Sequence, residues 1–168
     1  MAKVAAWRER LGERTKPRIG LVWSGSRTHS NDRFRSIPLE QLLQHLPANL
    51  QYVCLQTDVR DPDKHTLQAN PHIIDPGDER RDFSDTAAVA ECMDVVISVD
   101  TSVAHLGGAL GKATWVLLPS NADWRWLLDR RDSPWYSQAK LYRQDRIGDW
   151  KGVFAQLKLD LSRLSDSR

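Results

Sequence analysis

Apolar positions along the 168-residue chain fall into short blocks, and their spacing switches repeatedly between that of a helix and that of a strand. Val4, Trp7 and Leu11 lie three to four residues apart, which predicts a short amphipathic helix closed off by Gly12 and Pro17. Ile19-Gly20-Leu21-Val22-Trp23 is a first strand, followed by a polar stretch from Ser24 to Ser36. Pro38 opens a helix that carries Leu39, Leu42, Leu43 and Leu46 on one face, and Pro47 ends it. Tyr52 to Leu55 forms a second strand, and Ile73-Ile74 a short third one before the turn at Pro76-Gly77. A helix is expected from Asp82 to Met93, with Ser84 or Asp85 as its N-cap. Val95-Val96-Ile97-Ser98-Val99 is nearly continuous in apolar residues, the mark of a strand covered on both faces. The next helix runs from Ser102 to Leu110, where Gly111 stops it. Trp115 to Leu118 is another buried strand, Leu141-Tyr142 a last short one, and Val153, Leu157, Leu161 and Leu164 mark a final helix.

Strands that alternate with helices over most of the length predict an α/β fold with a Rossmann-like, doubly wound, mainly parallel sheet. No repeat, low-complexity tract or linker divides the chain, whose length suits one domain with one real core. The apolar (40%) and charged (27%) fractions are those of a soluble globular protein. A formal charge of +2 is too small to argue for nucleic acid or an anionic membrane. The arginines are clustered (Arg33 and Arg35; Arg80 and Arg81; Arg125, Arg130 and Arg131), which fits a solvated surface or, at one cluster, a compact anion. Cys54 and Cys92 sit in apolar runs without metal-ligand spacing and are expected to be buried, reduced thiols. Residues 1–16 contain no apolar signal core, and no apolar run approaches the ~20 residues of a membrane span, so the expected location is cytoplasmic.

The candidate chemistry lies where the strand ending at Val99 turns into the following helix. In open α/β sheets ligands bind beyond the carboxyl ends of the strands, where loops feed helix N-termini. Small residues at Ser102 and Ala104 let backbone N–H groups approach a ligand, and the helix dipole favours an anion. Thr101 and His105 are four apart and share a face. Asp100 suits sugar or ribose hydroxyls better than phosphate, so donors for phosphate beside an acceptor for hydroxyls describe a nucleotide-sugar. The same residues also fit a plainer description, in which Asp100 or Thr101 caps the helix and His105 is a satisfied buried histidine. No G-x-G-x-x-G follows the first strand and no G-x-x-x-x-G-K-[ST] occurs, which disfavours a dehydrogenase or a P-loop enzyme.

Val99 to Leu106, with Ala109-Leu110-Gly111-Lys112 and the strand ending in Pro119, resembles the donor-site signature of the heptosyltransferase-like glycosyltransferases, family 9. It is still more similar to the C-terminal region of bacterial tetratricopeptide-repeat proteins that end in such a domain. Ile19 to Ser26, Asn31-Asp32-x-x-Arg35-Ser36-Ile37-Pro38-Leu39 and Asp123 to Leu128 agree with them in order. The resemblance covers roughly residues 18 to 150. It implies one half of a GT-B fold, with residues 1–16 as an N-terminal linker helix and 17–168 as the nucleotide-sugar-binding domain. It implies that Asp100 holds sugar or ribose hydroxyls, that Thr101 and Ser102 donate to the pyrophosphate, and that His105 lies beside the phosphates or sugar. Ser24 and Ser26 match phosphate-contacting positions, and Arg35 falls where those enzymes have a phosphate-contacting lysine. Ser102 departs from their usual glycine. Arg35 and His105 are thus the expected catalytic groups. By the same resemblance, helix-terminal N–H groups and Arg35 stabilise the departing nucleoside diphosphate, so a metal-independent mechanism without cofactor is expected. The general base and the acceptor site belong, by the same resemblance, to an N-terminal Rossmann-like domain, so this chain alone is expected to bind donor without turning it over.

Other positions are less specific. Gln56 ends the second strand on the same carboxyl edge and is a candidate for the nucleoside, and Phe83 is near where the related enzymes contact the base. Trp124, Trp126 and Trp135 fit a shelf for a sugar or base, packing against a partner domain, or ordinary core. His29, His45, His65 and His72 show no ligand spacing and are expected at the surface. Two further functions compete with a donor-binding domain. One is a degenerate, non-catalytic nucleotide-binding or scaffold module within a repeat-containing protein. The other is a GT-B enzyme of different chemistry such as an epimerase, for which acid/base carboxylates are few.

Overall fold

The computed structural model describes residues 2–166. Helix α1 (Ala2–Arg10) precedes β1 (Arg18–Val22), the one-turn helix α2 (Asp32–Arg35), α3 (Leu39–Leu43), β2 (Gln51–Cys54), α4 (Asp61–Ala69) and β3 (Ile73–Ile74). Then follow α5 (Phe83–Glu91), β4 (Val95–Val99), α6 (Ser102–Ala109), β5 (Ala113–Leu118), β6 (Ala139–Arg143) and α7 (Lys151–Asp166). The six strands form one parallel sheet in the order β3-β2-β1-β4-β5-β6. The fold is therefore the expected Rossmann-like, doubly wound α/β sheet.

Period-two alternation sorts each strand's side chains between two covering layers. Ile19, Leu21, Tyr52, Cys54, Val95, Ile97 and Val99 join Leu39, Leu42, Val153, Phe154, Leu157 and Leu161 in one core. Val22, Val53, Leu55 and Val96 join Trp7, Leu11, Ala88, Val89 and Met93 in the other. Both cysteines are buried free thiols, and burial pushes Cys54 up to about 12. His45 is half-buried, stacked on Phe154 at 4.4 Å, rather than a plain surface residue.

Helix α5 starts from a different cap than expected. Asp82, not Ser84 or Asp85, is the N-cap, and its carboxylate accepts from the Asp85 backbone N–H. Asp85 in turn accepts from the Arg81 N–H, and Lys3 of α1 ion-pairs with both carboxylates. Two elements lie outside the sequence expectation. Helix α4 begins at Asp61-Pro62-Asp63, where Asp63 accepts from the Leu39 N–H and from the Trp23 indole, anchoring α4 to α3 and to the residue that follows β1. Helix α2 sits inside the polar stretch after β1.

Candidate functional site

The strand order reverses between β1 and β4, so the chains leaving these neighbours diverge and open a crevice at the carboxyl edge. A pocket of about 240 Å³ occupies it, lined by Ser24, Gly25 and Ser26 after β1, by Gln56, Thr57 and Asp58 after β2, and by Thr101, Ser102 and Val103 at the start of α6. Five predicted residues, Ser24, Ser26, Gln56, Thr101 and Ser102, thus line one cavity.

Two features make the pocket suited to an anion. Thr101 stands at the N-cap position of α6 in extended backbone, yet its hydroxyl pairs with Ser98 Oγ at 3.0 Å. Among the described residues no side chain caps that first turn, so its leading N–H groups and the positive end of the helix dipole face the pocket. Ser24 is only 2% exposed, and its hydroxyl has no hydrogen-bond partner among the described residues. A buried hydroxyl without a partner lacks the compensation that burial normally requires, and a ligand oxygen in the pocket supplies it.

Gln56 lines the pocket but serves the protein. Its Oε1 accepts from the Trp23 and Ser24 N–H groups at 3.2 and 3.1 Å, and its Nε2 donates to the Ser24 and Asp58 carbonyls at 2.9 and 3.2 Å. All four hydrogen-bonding positions of the amide are occupied, which leaves none for a nucleoside.

Behind the β1 loop lie two guanidinium groups. Arg35, 8% exposed, donates through Nη1 to the Asp100 carbonyl at 2.6 Å and lies 3.8 Å from the Asp32 carboxylate. It fits against Gly25, where a side-chain methyl would run into it. Arg60 binds Asp32 at 2.5 Å and also the Gly25 carbonyl and Ser36 hydroxyl. Nothing in the local sequence of Arg60 distinguishes it from a surface arginine.

Asp100, Trp126, His105 and Tyr136 form a second group beside the pocket. The Trp126 indole N–H donates to Asp100 Oδ1 at 2.8 Å. The His105 ring stacks on Trp126 at 4.9 Å, its Nδ1 is 3.0 Å from the Tyr136 hydroxyl, and its Nε2 is 4.0 Å from Asp100. Burial lowers the His105 pKa from its ordinary value against the opposing pull of Asp100. Asp100 does not cap α6; one of its carboxylate oxygens faces the indole and its carbonyl faces Arg35. Phe83, the first residue of α5, is half exposed and does not line this pocket. Of the three tryptophans predicted as shelf, partner contact or core, Trp126 is core and Trp124 and Trp135 are exposed. Among the described residues no helix is long and apolar enough to cross a membrane.

No protein-family model matches the chain. Among curated proteins it is similar to Protein FlbA of Caulobacter vibrioides (strain ATCC 19089 / CIP 103742 / CB 15), at 26% identity over 165 residues. That match takes in 93% of this chain and 27% of FlbA, so the chain spans little more than a quarter of that relative. Among solved structures it is similar to the E. coli ADP-heptose LPS heptosyltransferase II, with a TM-score of 0.61 and 12% identity over 95% of this chain and 50% of that one. Similarity at that identity shows the fold: a Rossmann-like sheet of the kind that makes up half of a heptosyltransferase.

Proposed function

We propose that this chain is the nucleotide-sugar donor-binding domain of a metal-independent glycosyltransferase that is completed by an N-terminal acceptor domain, within a protein that also carries tetratricopeptide repeats. The observation that carries the reading is the pairing, in one cavity at the strand-order reversal, of an uncapped helix N-terminus with a buried, unpartnered Ser24 hydroxyl. The donor pyrophosphate takes the N–H groups at Ser102 and Val103 together with Ser24 and Ser26. Arg35 and Arg60 raise the potential behind the β1 loop and favour the charge that develops on a departing nucleoside diphosphate. His105, held by Trp126 and Tyr136, acts as a polar neighbour of the sugar or phosphates. Asp100 keeps one carboxylate oxygen on Trp126 and offers the other to hydroxyls.

Two observations favour a second reading, a nucleotide-binding module without catalysis. The Gln56 amide is saturated, and the Arg35 guanidinium is almost wholly buried against Asp100 and Gly25.

Titration with UDP, ADP, GDP and CMP, followed by backbone amide shifts, tests binding. Saturable shifts confined to residues 24–26 and 101–105, weakened by Ser24→Ala, are expected. The absence of saturable shifts with all four nucleotides overturns the reading. Donor hydrolysis by the chain joined to its N-terminal domain then separates transferase from module.

A further inference from the structure

The segment between β5 and β6 holds an arrangement that an anion pocket does not explain. Its 3-10 turn, Trp124–Trp126, sends Trp126 inward to Asp100 and Trp124 outward to 68% exposure. Trp135 is 60% exposed and Leu128 71%. Aromatic rings this large normally bury most of their area. These rings are nonetheless fixed. The Trp135 indole N–H donates to the Arg125 carbonyl at 3.0 Å, and its backbone N–H donates to Ser133. The Arg125 guanidinium lies 4.9 Å over the Trp124 ring and is itself held by Asp123. With its N–H satisfied, Trp135 leaves its hydrocarbon face open.

The backbone is strained to achieve this. Leu127 has φ 53° and ψ −170°, at the edge of a region that glycine alone enters readily, and Asp129 has φ 54°. Arg143 holds the turn in place by donating to the Trp126 and Leu127 carbonyls at 3.2 and 2.6 Å. Strain sustained by a dedicated arginine points to a shape selected for contact rather than for stability.

Both rings adjoin in sequence the group that stands beside the pocket. Trp124 lies two residues before Trp126, which bonds Asp100, and Trp135 directly precedes Tyr136, which meets His105. Ion-paired Asp123 with Arg125, and Arg130 with Asp132, are interleaved with the rings. The core of a protein interface gathers aromatic rings and arginine but is depleted of carboxylates such as Asp123 and Asp132. A flat hydrocarbon face with donors and acceptors close beside it instead matches a pyranose, whose C–H face rests on an indole while its hydroxyls bond guanidinium and carboxylate.

We propose that Trp124 and Trp135 form a seat for a pyranose ring beside the anion pocket. The ring belongs to the donor's glycosyl group or to an acceptor, and that choice rests on the nucleotide-sugar reading above. The test follows the indole N–H resonances of the two tryptophans, assigned from Trp124→Ala and Trp135→Ala. These are surface changes whose folding is checked by circular dichroism. The probes are UDP and ADP; UDP-glucose, UDP-N-acetylglucosamine, ADP-glucose, GDP-mannose and CMP-N-acetylneuraminate; and the methyl glycosides of glucose, galactose and mannose.

The expected result is that at least one sugar-bearing probe moves both indole signals. Trp135→Ala should weaken that probe about fivefold while leaving plain nucleotide within about twofold. Movement by a nucleotide-sugar alone assigns the donor's ring, and movement by a methyl glycoside assigns an acceptor. If nucleotides shift residues 101–105 but no sugar moves either indole, the seat is overturned and the anion site stands. If a methyl glycoside moves the indoles while no nucleotide binds, the seat stands and the nucleotide reading fails. Self-association that Trp135→Ala abolishes, with no sugar response, makes the lip a protein contact and also overturns the seat.

Discussion

Gly25→Ala isolates the packing on which the candidate site depends. Gly25 does not occupy the left-handed region, so its backbone accepts an alanine without strain of its own. The added methyl meets the Arg35 guanidinium instead, touching Nη2 and lying 2.6 Å from both Cζ and Nε. Arg35 cannot yield freely, because Nη1 is bonded to the Asp100 carbonyl and the side chain is buried. Losing a buried hydrogen bond from a charged donor costs about 1.5–3 kcal/mol. The longer contact to Asp32 adds less than about 1 kcal/mol, and partial relaxation returns some of the total. We therefore expect Gly25→Ala to destabilise the fold by about 2–3 kcal/mol, lowering the melting temperature by roughly 5–10 °C for a domain of this size. The decisive measurement is a double-mutant cycle with Arg35→Ala, read by urea unfolding. With the guanidinium gone the methyl has room, and Gly25→Ala should then cost about 0.5 kcal/mol or less, a coupling above about 1.5 kcal/mol. Equal costs in both backgrounds would refute the argument, since the methyl would then be acting on the backbone and not on Arg35.

Two further outcomes follow from the same site. Trp126→Phe keeps the ring beneath His105 but removes the donor to Asp100, and should cost about 1.5–3 kcal/mol in chemical denaturation; an unchanged midpoint would show that Asp100 finds another donor. His105 should titrate below its ordinary value of 6.5 in a proton NMR experiment, because burial lowers its pKa. Its neutral form therefore supports the fold above about 6.5, and that support is lost as the pH falls from there through the lowered folded value; a midpoint above 6.5 would contradict this.

The sheet was legible in the sequence because its strands are covered on both faces and stand out as apolar blocks, as at Val95–Val99. Helices α2 and α4 were not. Helix α4 buries a single apolar residue, Leu67, so hydrophobic spacing had nothing to detect, although Asp61 and Pro62 carry the start signal of a helix. Helix α2 buries Asp32 and Arg35, which pair with Arg60 and with the Asp100 carbonyl, and contacts of that range leave no local pattern. The same limit applies at the site. The resemblance picked out Ser24, Ser26, Thr101 and Ser102, which line one pocket, while the partners that already occupy Gln56 and Asp100 come from other strands and loops. At the start of α5, Asp82, Ser84 and Asp85 are all competent caps two or three residues apart, and only the path of the incoming chain decides among them.

The saturated amide of Gln56 has a kinetic and entropic side. Backbone pairing between β1 and β2 ends near Leu55, yet three of the four bonds from this one side chain carry the ladder on to Trp23 and Ser24. The wall of the pocket is thus set before any ligand arrives. A ligand entering it has little loop motion to quench, so nearly all of the ordering entropy lost on association is the ligand's own. Encounter should then resemble docking onto a rigid surface, with differences between ligands expressed in how quickly they leave.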